Sequence, residues 1–301
     1  MRFAKPEYPD AIEDENEIQD NSFGPSCIQA ALNASKPSPF PEGAENEDCL
    51  FLDIYVPYKV LEDYYPEWKA PVVVYLFGGA YLFGGKDTII TSGGEEWSLY
   101  DGQQILHMGI DSIIWVVPNY RLGAFGWLAG NTVEKYGTPN AALYDQRLIF
   151  QFVQDYIGQI KGDSNQVSAW GHSAGAGSLI HHLIAFEGNQ QPFSRAILWS
   201  PTYQWAYDRL GALDFTFQYF ASYAGCYDQP NDLECLRETD TKTLKAANQK
   251  VIDDAPLYGF SPLDLRWTDP GRIKFQQPLK LVSDVMRMSA NDTDVHPRPI
   301  Y

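Results

Sequence analysis

Gln166-Val167-Ser168-Ala169-Trp170-Gly171-His172-Ser173-Ala174-Gly175-Ala176-Gly177-Ser178-Leu179-Ile180 changes its period half-way along. Val167 to Trp170 is a short β-type run, whereas from Ala174 to Phe186 the apolar residues take helical spacing. Gly171 to Gly175 between them has the form G-x-S-x-G, a sharp strand-to-helix corner that exposes a nucleophilic hydroxyl. The glycines are required because the serine sits in a strained turn. A β-carbon two residues to either side would strike neighbouring backbone. The corner lifts Ser173 Oγ clear of a sheet and leaves the Ala174 N–H free to bind an oxyanion. The bare pentapeptide is common by chance, so the strand before it and the helix after it carry the inference.

The 301 residues are enough for one large α/β domain or two average ones, and enough to bury a full core. A composition of 45% hydrophobic and 14% aromatic residues is that of a globular chain and not of a disordered one. The net charge of −17 argues against nucleic acid and anionic membrane as partners, since both select a basic face. No apolar run approaches the roughly 18 residues of a membrane span. The opening M-R-F-A-K-P-E-Y-P-D has no apolar centre and does not read as a signal peptide. Cys27, Cys49, Cys226 and Cys235 fall in two local pairs, with no C-x-x-C spacing and no histidine placed for zinc. They fit disulfides better than a metal site, and disulfides imply a secretory route. Sequons at Asn33 and Asn291 point the same way.

The first forty-odd residues, rich in Pro, Asp, Glu and Asn, read as an extended surface loop. Alternation over 47–57 gives a strand ended by proline, and Val72 to Phe77 is a continuous apolar run suited to a buried parallel strand. Gly78-Gly79-Ala80-Tyr81-Leu82-Phe83-Gly84-Gly85 follows it. Lys86 beside these glycines suggests a phosphate-binding loop. The register fails, because that pattern needs Gly at Ala80 and Ser or Thr at Asp87. An oxyanion-binding loop remains, in which small residues let backbone N–H groups face developing negative charge. A short helix over 100–108, a strand over 113–117 and a five-turn helix over 140–160 lead to the corner. The long helix is expected to bury Leu143, Leu148, Phe152, Tyr156 and Ile160. A strand over 196–199 and a helical region over 215–251 complete the regular part. Strands alternating with helices give a mainly parallel sheet covered on both faces. Regularity fades beyond Ala255, apart from a short helical pattern over 279–288, and the stretch from Asn291 reads as disordered.

Taken in order, these pieces resemble the type-B carboxylesterase and lipase family, which includes cholinesterases and fungal esterases. The motifs are E-D-C-L-F-L-D-I-Y-V-P at 47–57, F-G-G-A-Y-L-F-G-G at 77–85 and N-Y-R-L-G-A-F-G-W-L at 119–128. N-A-A-L-Y-D-Q-R-L at 140–148, G-H-S-A-G-A-G-S at 171–178, F-S-R-A-I-L-W-S at 193–200 and A-G-C…E-C-L-R at 224–237 continue the match. The resemblance covers about Ser22 to about Asn248 and implies an α/β-hydrolase fold with ester hydrolysis through an acyl-enzyme. On it, Ser173 is the nucleophile, and the N–H groups of Gly79, Ala80 and Ala174 form the oxyanion hole. It also implies disulfides Cys27–Cys49 and Cys226–Cys235, a supporting Ser200, no metal or cofactor, and a small-molecule or lipid ester as substrate.

Several features depart from the family pattern. His172 stands where Glu usually precedes the nucleophile, and Ala80 replaces a frequent Gly. Arg2-Phe3 aligns with a segment that in the family follows a signal peptide and opening strands. The family's acid belongs about where this sequence ends, and its histidine further on. Residues 1–301 are therefore expected to be one partial α/β-hydrolase domain, truncated at both ends and divergent from about 258. No other histidine replaces the missing base. His181 and His182 lie eight and nine residues along the elbow helix, about 12 Å away at 1.5 Å per residue. His107 precedes the corner, His172 points away from its neighbour, and His296 falls in the tail with Asp292 and Asp294. The competing reading is a non-catalytic, cholinesterase-like interaction protein or an inactive fragment.

Overall fold

The computed structural model describes residues 1–9, 24–31, 44–62, 67–109, 111–188, 191–202 and 212–254. The elements begin with β1 (Leu52–Tyr55), α1 (Tyr58–Leu61) and β2 (Ala70–Leu76). A hairpin of β3 (Ile89–Ser92) and β4 (Glu95–Ser98) precedes α2 (Gly102–Met108) and β5 (Ile114–Pro118). Then come α3 (Gly123–Trp127), α4 (Asn131–Tyr136), α5 (Ala141–Tyr156), β6 (Gly162–His172), α6 (Ala174–Ile184) and β7 (Arg195–Trp199). Three helices close the described chain: α7 (Ala212–Tyr223), α8 (Asp232–Glu238) and α9 (Thr241–Asp253).

The five-stranded central sheet has the order β1-β5-β2-β6-β7. β1 runs antiparallel to β5, and the other pairings are parallel, with Tyr75 opposite Trp170 and Gly171 opposite Leu198. This is the mainly parallel sheet expected. Because β2 and β5 are covered on both faces, they are apolar throughout instead of alternating. One face packs Val72, Val74, Leu76, Val167 and Ala169 against Ile149, Phe150 and Val153 of α5 and Leu179 of α6. The other packs Val73, Tyr75, Trp115 and Val117 beneath Ile105 and Leu106 of α2. The last three helices form a satellite core with Phe3, Ile28, Phe125 and Leu128. Side-chain caps start two of them, Asn231 accepting from Glu234 N at 3.3 Å and Asp240 from Thr243 N at 2.9 Å.

Both disulfides form as expected, Cys27–Cys49 with a sequence separation of 22 and Cys226–Cys235 with 9. Loop closure of those lengths contributes about 3.4 and about 2.6 kcal/mol in the chain-entropy account.

The structure differs from the sequence reading in three places. Residues 26–30, taken as part of a surface loop, are buried, because they form the backing of the glycine loop. Of the stripe expected on α5, Leu143 is buried, and the rest of the buried face is Ala142, Ile149, Phe150 and Val153, continued by Ile157. Tyr156 is 42% exposed and packs its ring on Phe152 and Tyr8 instead. The β3–β4 hairpin was not anticipated. The sequons at Asn33 and Asn291, the helical pattern over 279–288, the tail from Asn291 and His296 lie outside the described residues.

Candidate active site

β6 runs straight into the corner. Ser173 takes φ 53° and ψ −115°, a region that costs a non-glycine residue roughly 1–3 kcal/mol. Backbone bonds on both sides impose it: Ser173 N–H donates to Trp199 O at 2.9 Å, and Ser173 O accepts from Gly177 N at 2.9 Å and Thr202 N at 3.1 Å. Gly175 is required by close approach, since a β-carbon there would stand 2.1 Å from Leu76 O and 2.6 Å from Phe77 O. α6 can therefore start directly against the end of β2. Its positive end lies at Ser173, and Ala174, its first residue, has one of the N–H groups that no helical carbonyl can accept.

The glycine loop meets the corner from β2. A β-carbon on Gly78 would be 3.0 Å from Ser173 Cβ and 3.2 Å from His172 Nδ1, so the loop starts against the nucleophile's own side chain. Gly79 (φ +118°), Ala80 (φ 58°) and Tyr81 (φ 65°) then form a left-handed run. Gly79 O turns inward to accept from Leu82 N at 2.9 Å and Phe83 N at 3.0 Å. Among the described residues, the N–H groups of Gly79, Ala80 and Ala174 have no protein acceptor. Buried Tyr81 closes the assembly by donating its hydroxyl to Thr202 O at 2.9 Å. Burial holds that hydroxyl's pKa well above its ordinary value, so it remains a donor. Tyr120, fully buried, donates to Phe77 O at 2.5 Å at the head of the loop.

Ser173 is half-buried, His172 and Ser200 are exposed, and Ser200 follows β7 with φ 46°. Ser173 Oγ makes no hydrogen bond among the described residues. His107 is exposed on α2. His181 and His182 are buried, each at 2% exposure. His182 Nε2 lies 2.9 Å from Gln146 Oε1, and Gln146 Nε2 donates to Ser178 Oγ at 3.2 Å. Ser178 Oγ in turn donates to Ala174 O at 3.0 Å. This buried chain joins α5 to the first turn of α6. Because the amide oxygen of Gln146 must accept, Nε2 carries the proton of a neutral His182 ring.

Burial, and then electrostatic repulsion from Arg147 and from the neighbouring His181, push the His182 pKa down to about 3. The unfolded chain titrates near 6.5 and takes the proton first. The stability that His182 contributes is thus complete above that value and is lost as pH falls below it. Between pH 7.5 and 5 we expect a loss of about 2 kcal/mol by urea unfolding, and a flatter profile for His182→Gln.

Sequence reasoning missed Tyr81 and Thr202, partners 121 residues apart, for which no local signal exists. A cavity of about 1120 Å³ lies elsewhere, between Arg2, Phe51, Arg121 and Phe152, and neither Ser173 nor the glycine loop lines it. No helix among the described residues is long and apolar enough to cross a membrane.

A model of the carboxylesterase family matches residues 1–287, wider than the motif-bearing 22–248. The chain belongs to the carboxylesterase family. This carboxylesterase-family chain is 42% identical over 237 residues to a secreted lipase of Arthroderma benhamiae, covering 77% of this chain and 45% of that protein. It is 34% identical over 255 residues to lipase 1 of Geotrichum candidum, covering 81% and 41% respectively. Among solved structures, Aspergillus niger EstA superimposes with a TM-score of 0.66 at 32% identity, over 82% of this chain and 43% of that one. The chain spans less than half the length of these curated relatives. The neighbours are esterases with the α/β-hydrolase fold, and the mixed, mostly parallel sheet described above is of that kind.

Proposed function

We propose that the protein hydrolyses carboxylic esters, small or lipid, through an acyl-enzyme on Ser173. Ser173 Oγ attacks the ester carbonyl carbon, and the carbonyl π electrons move onto its oxygen. The N–H groups of Gly79, Ala80 and Ala174 receive that oxyanion, assisted by the positive end of α6. The intermediate collapses by breaking the bond to the alcohol oxygen, which leaves with a proton. Water then attacks the acyl-serine in the same way and releases the acid.

The observation that carries this reading is the strained Ser173, set at a helix start beside a loop in which the Gly79 and Ala80 N–H groups have no acceptor among the described residues. The proton of Ser173 must go to a base, and we place the histidine and its carboxylate outside the described residues, since none of those residues bonds to Oγ. The two disulfides, and a relative described as secreted, support a secretory route.

An alkyl fluorophosphonate tests the reading, because only an activated hydroxyl displaces fluoride from phosphorus. One equivalent of label on the peptide carrying Ser173 is expected. A well-folded protein that takes none would overturn the assignment in favour of a non-catalytic interaction protein. That second reading draws on the absence of a partner for Oγ among the described residues.

A further inference from the structure

We infer that Gln29 is a positioning residue for the oxyanion-binding loop, clamping both backbone groups of Gly84 from behind. The inference rests on the ester-hydrolase reading just given.

A loop with three successive left-handed residues does not hold itself. At its near end the support comes from Gly123 N, which donates to Tyr81 O at 2.8 Å, and from the Tyr81 and Tyr120 hydroxyls. At its far end the chain must turn back at Gly84, and Gln29 meets it there. Gln29 Oε1 accepts from Gly84 N at 2.6 Å, and Gln29 Nε2 donates to Gly84 O at 2.9 Å. One side-chain amide thus pairs with a loop residue as a neighbouring strand would. Gln29 is 4% exposed, so no water competes for these bonds.

The amide is itself held in place. Nε2 makes a second bond, to Cys27 O at 2.7 Å, which fixes the rotamer, and Gln29 N donates to Glu45 Oε2 at 3.0 Å. Ala30 N adds a bond to Leu82 O at 2.8 Å. The segment is anchored two residues upstream by the Cys27–Cys49 disulfide and beyond its end by Gln249 of α9, which bonds Ala31 N and O at 2.8 and 3.0 Å. Residues 27–31 are therefore a back-plate, and among the described residues Gln29 makes its side-chain hydrogen bonds to the main chain of the loop.

Removing the amide leaves buried Gly84 N–H and C=O groups without partners, and the loop must move to hydrate them. A shift near 1 Å at Gly79 and Ala80 misplaces donors that act only once the oxyanion has formed. We expect Gln29→Ala to lower kcat on p-nitrophenyl butyrate by about 30–100-fold, per active site titrated with fluorophosphonate, with KM within about threefold. The affinity for a trifluoromethyl ketone, whose hemiketal oxygen occupies the same amides, should fall in step with kcat/KM. Gln29→Met, of equal length without hydrogen bonds, should match Gln29→Ala.

A merely structural residue would reduce the titratable fraction and leave kcat per site and ketone affinity unchanged, and that outcome overturns the proposal. Amide hydrogen exchange over residues 77–86 provides a second measurement that needs no turnover. Exchange there should quicken at least about tenfold in Gln29→Ala while residues 221–235 keep their rates. Unchanged exchange at 77–86 also overturns it. If the wild-type protein shows no Ser173-dependent hydrolysis, the ester-hydrolase reading fails by itself, and exchange alone decides whether Gln29 holds the loop.

Discussion

Ser173→Ala is expected to lower kcat/KM on p-nitrophenyl butyrate by about 10⁴-fold or more while leaving the thermal midpoint nearly unchanged. The two halves of this result have separate causes. Losing the nucleophile ends acyl-enzyme formation, and what survives is water attack assisted by the three amides, worth at most about 10³–10⁴ over solvent. Stability is expected to hold because Oγ has no hydrogen-bond partner among the described residues to orphan, and because alanine at φ 53° bears the same backbone strain as serine. A steady-state assay beside differential scanning calorimetry on both proteins separates these effects. Activities within tenfold of each other would move the chemistry off Ser173. A fall in midpoint of several degrees would show that the hydroxyl helps to hold the corner.

The corner was legible because everything that forces it lies within about ten residues: a β run, two glycines in fixed register and a helical stripe. The glycine loop was legible for the same reason, and the two disulfides followed from the family resemblance. The clamps on these pieces were not. Gln29 and Gly84 are 55 residues apart, and Tyr81 and Thr202 are 121 apart; a glutamine or tyrosine in isolation carries no mark of its partner. The α5 stripe was misplaced because its spacing fits two adjacent faces, and burial by the sheet chose Ile149 and Val153 over Leu148 and Phe152. The β3–β4 hairpin did have a signal, Gly93-Gly94 between two short runs, with φ of +65° and +87°. Ile89, Ile90 and Thr91 of β3 and all of β4, which opens with Glu95 and Glu96, are exposed, so they lack the alternation that marks a strand resting on a core.

Asp145→Ala is expected to cost about 3–5 kcal/mol of folding stability, the largest loss we expect from a single side chain remote from the corner. Asp145 is fully buried on α5 and receives Arg121 as a fork, Nη2 to Oδ1 at 2.6 Å and Nε to Oδ2 at 2.8 Å. Its Oδ2 also accepts the Arg121 backbone N–H at 3.1 Å. Arg121 Nη2 goes on to bond Ala4 O at 2.8 Å, so the guanidinium joins the N-terminal segment to α5. Without the carboxylate a nearly buried cation has only carbonyls to face, and the guanidinium cannot shed its proton. The pair itself is worth far less than the loss of one partner, because both ions gave up hydration to form it. Arg121→Met combined with Asp145→Leu should therefore recover most of the stability that Asp145→Ala removes. Urea unfolding of the three variants at pH 7.5 measures both differences. Activity should follow stability, because Arg121 adjoins Tyr120, whose hydroxyl holds Phe77 O, and Asp145 adjoins Gln146, whose amide reaches Ser178. A cost below about 1 kcal/mol for Asp145→Ala would mean that water reaches the guanidinium and the fork is a surface pair in disguise.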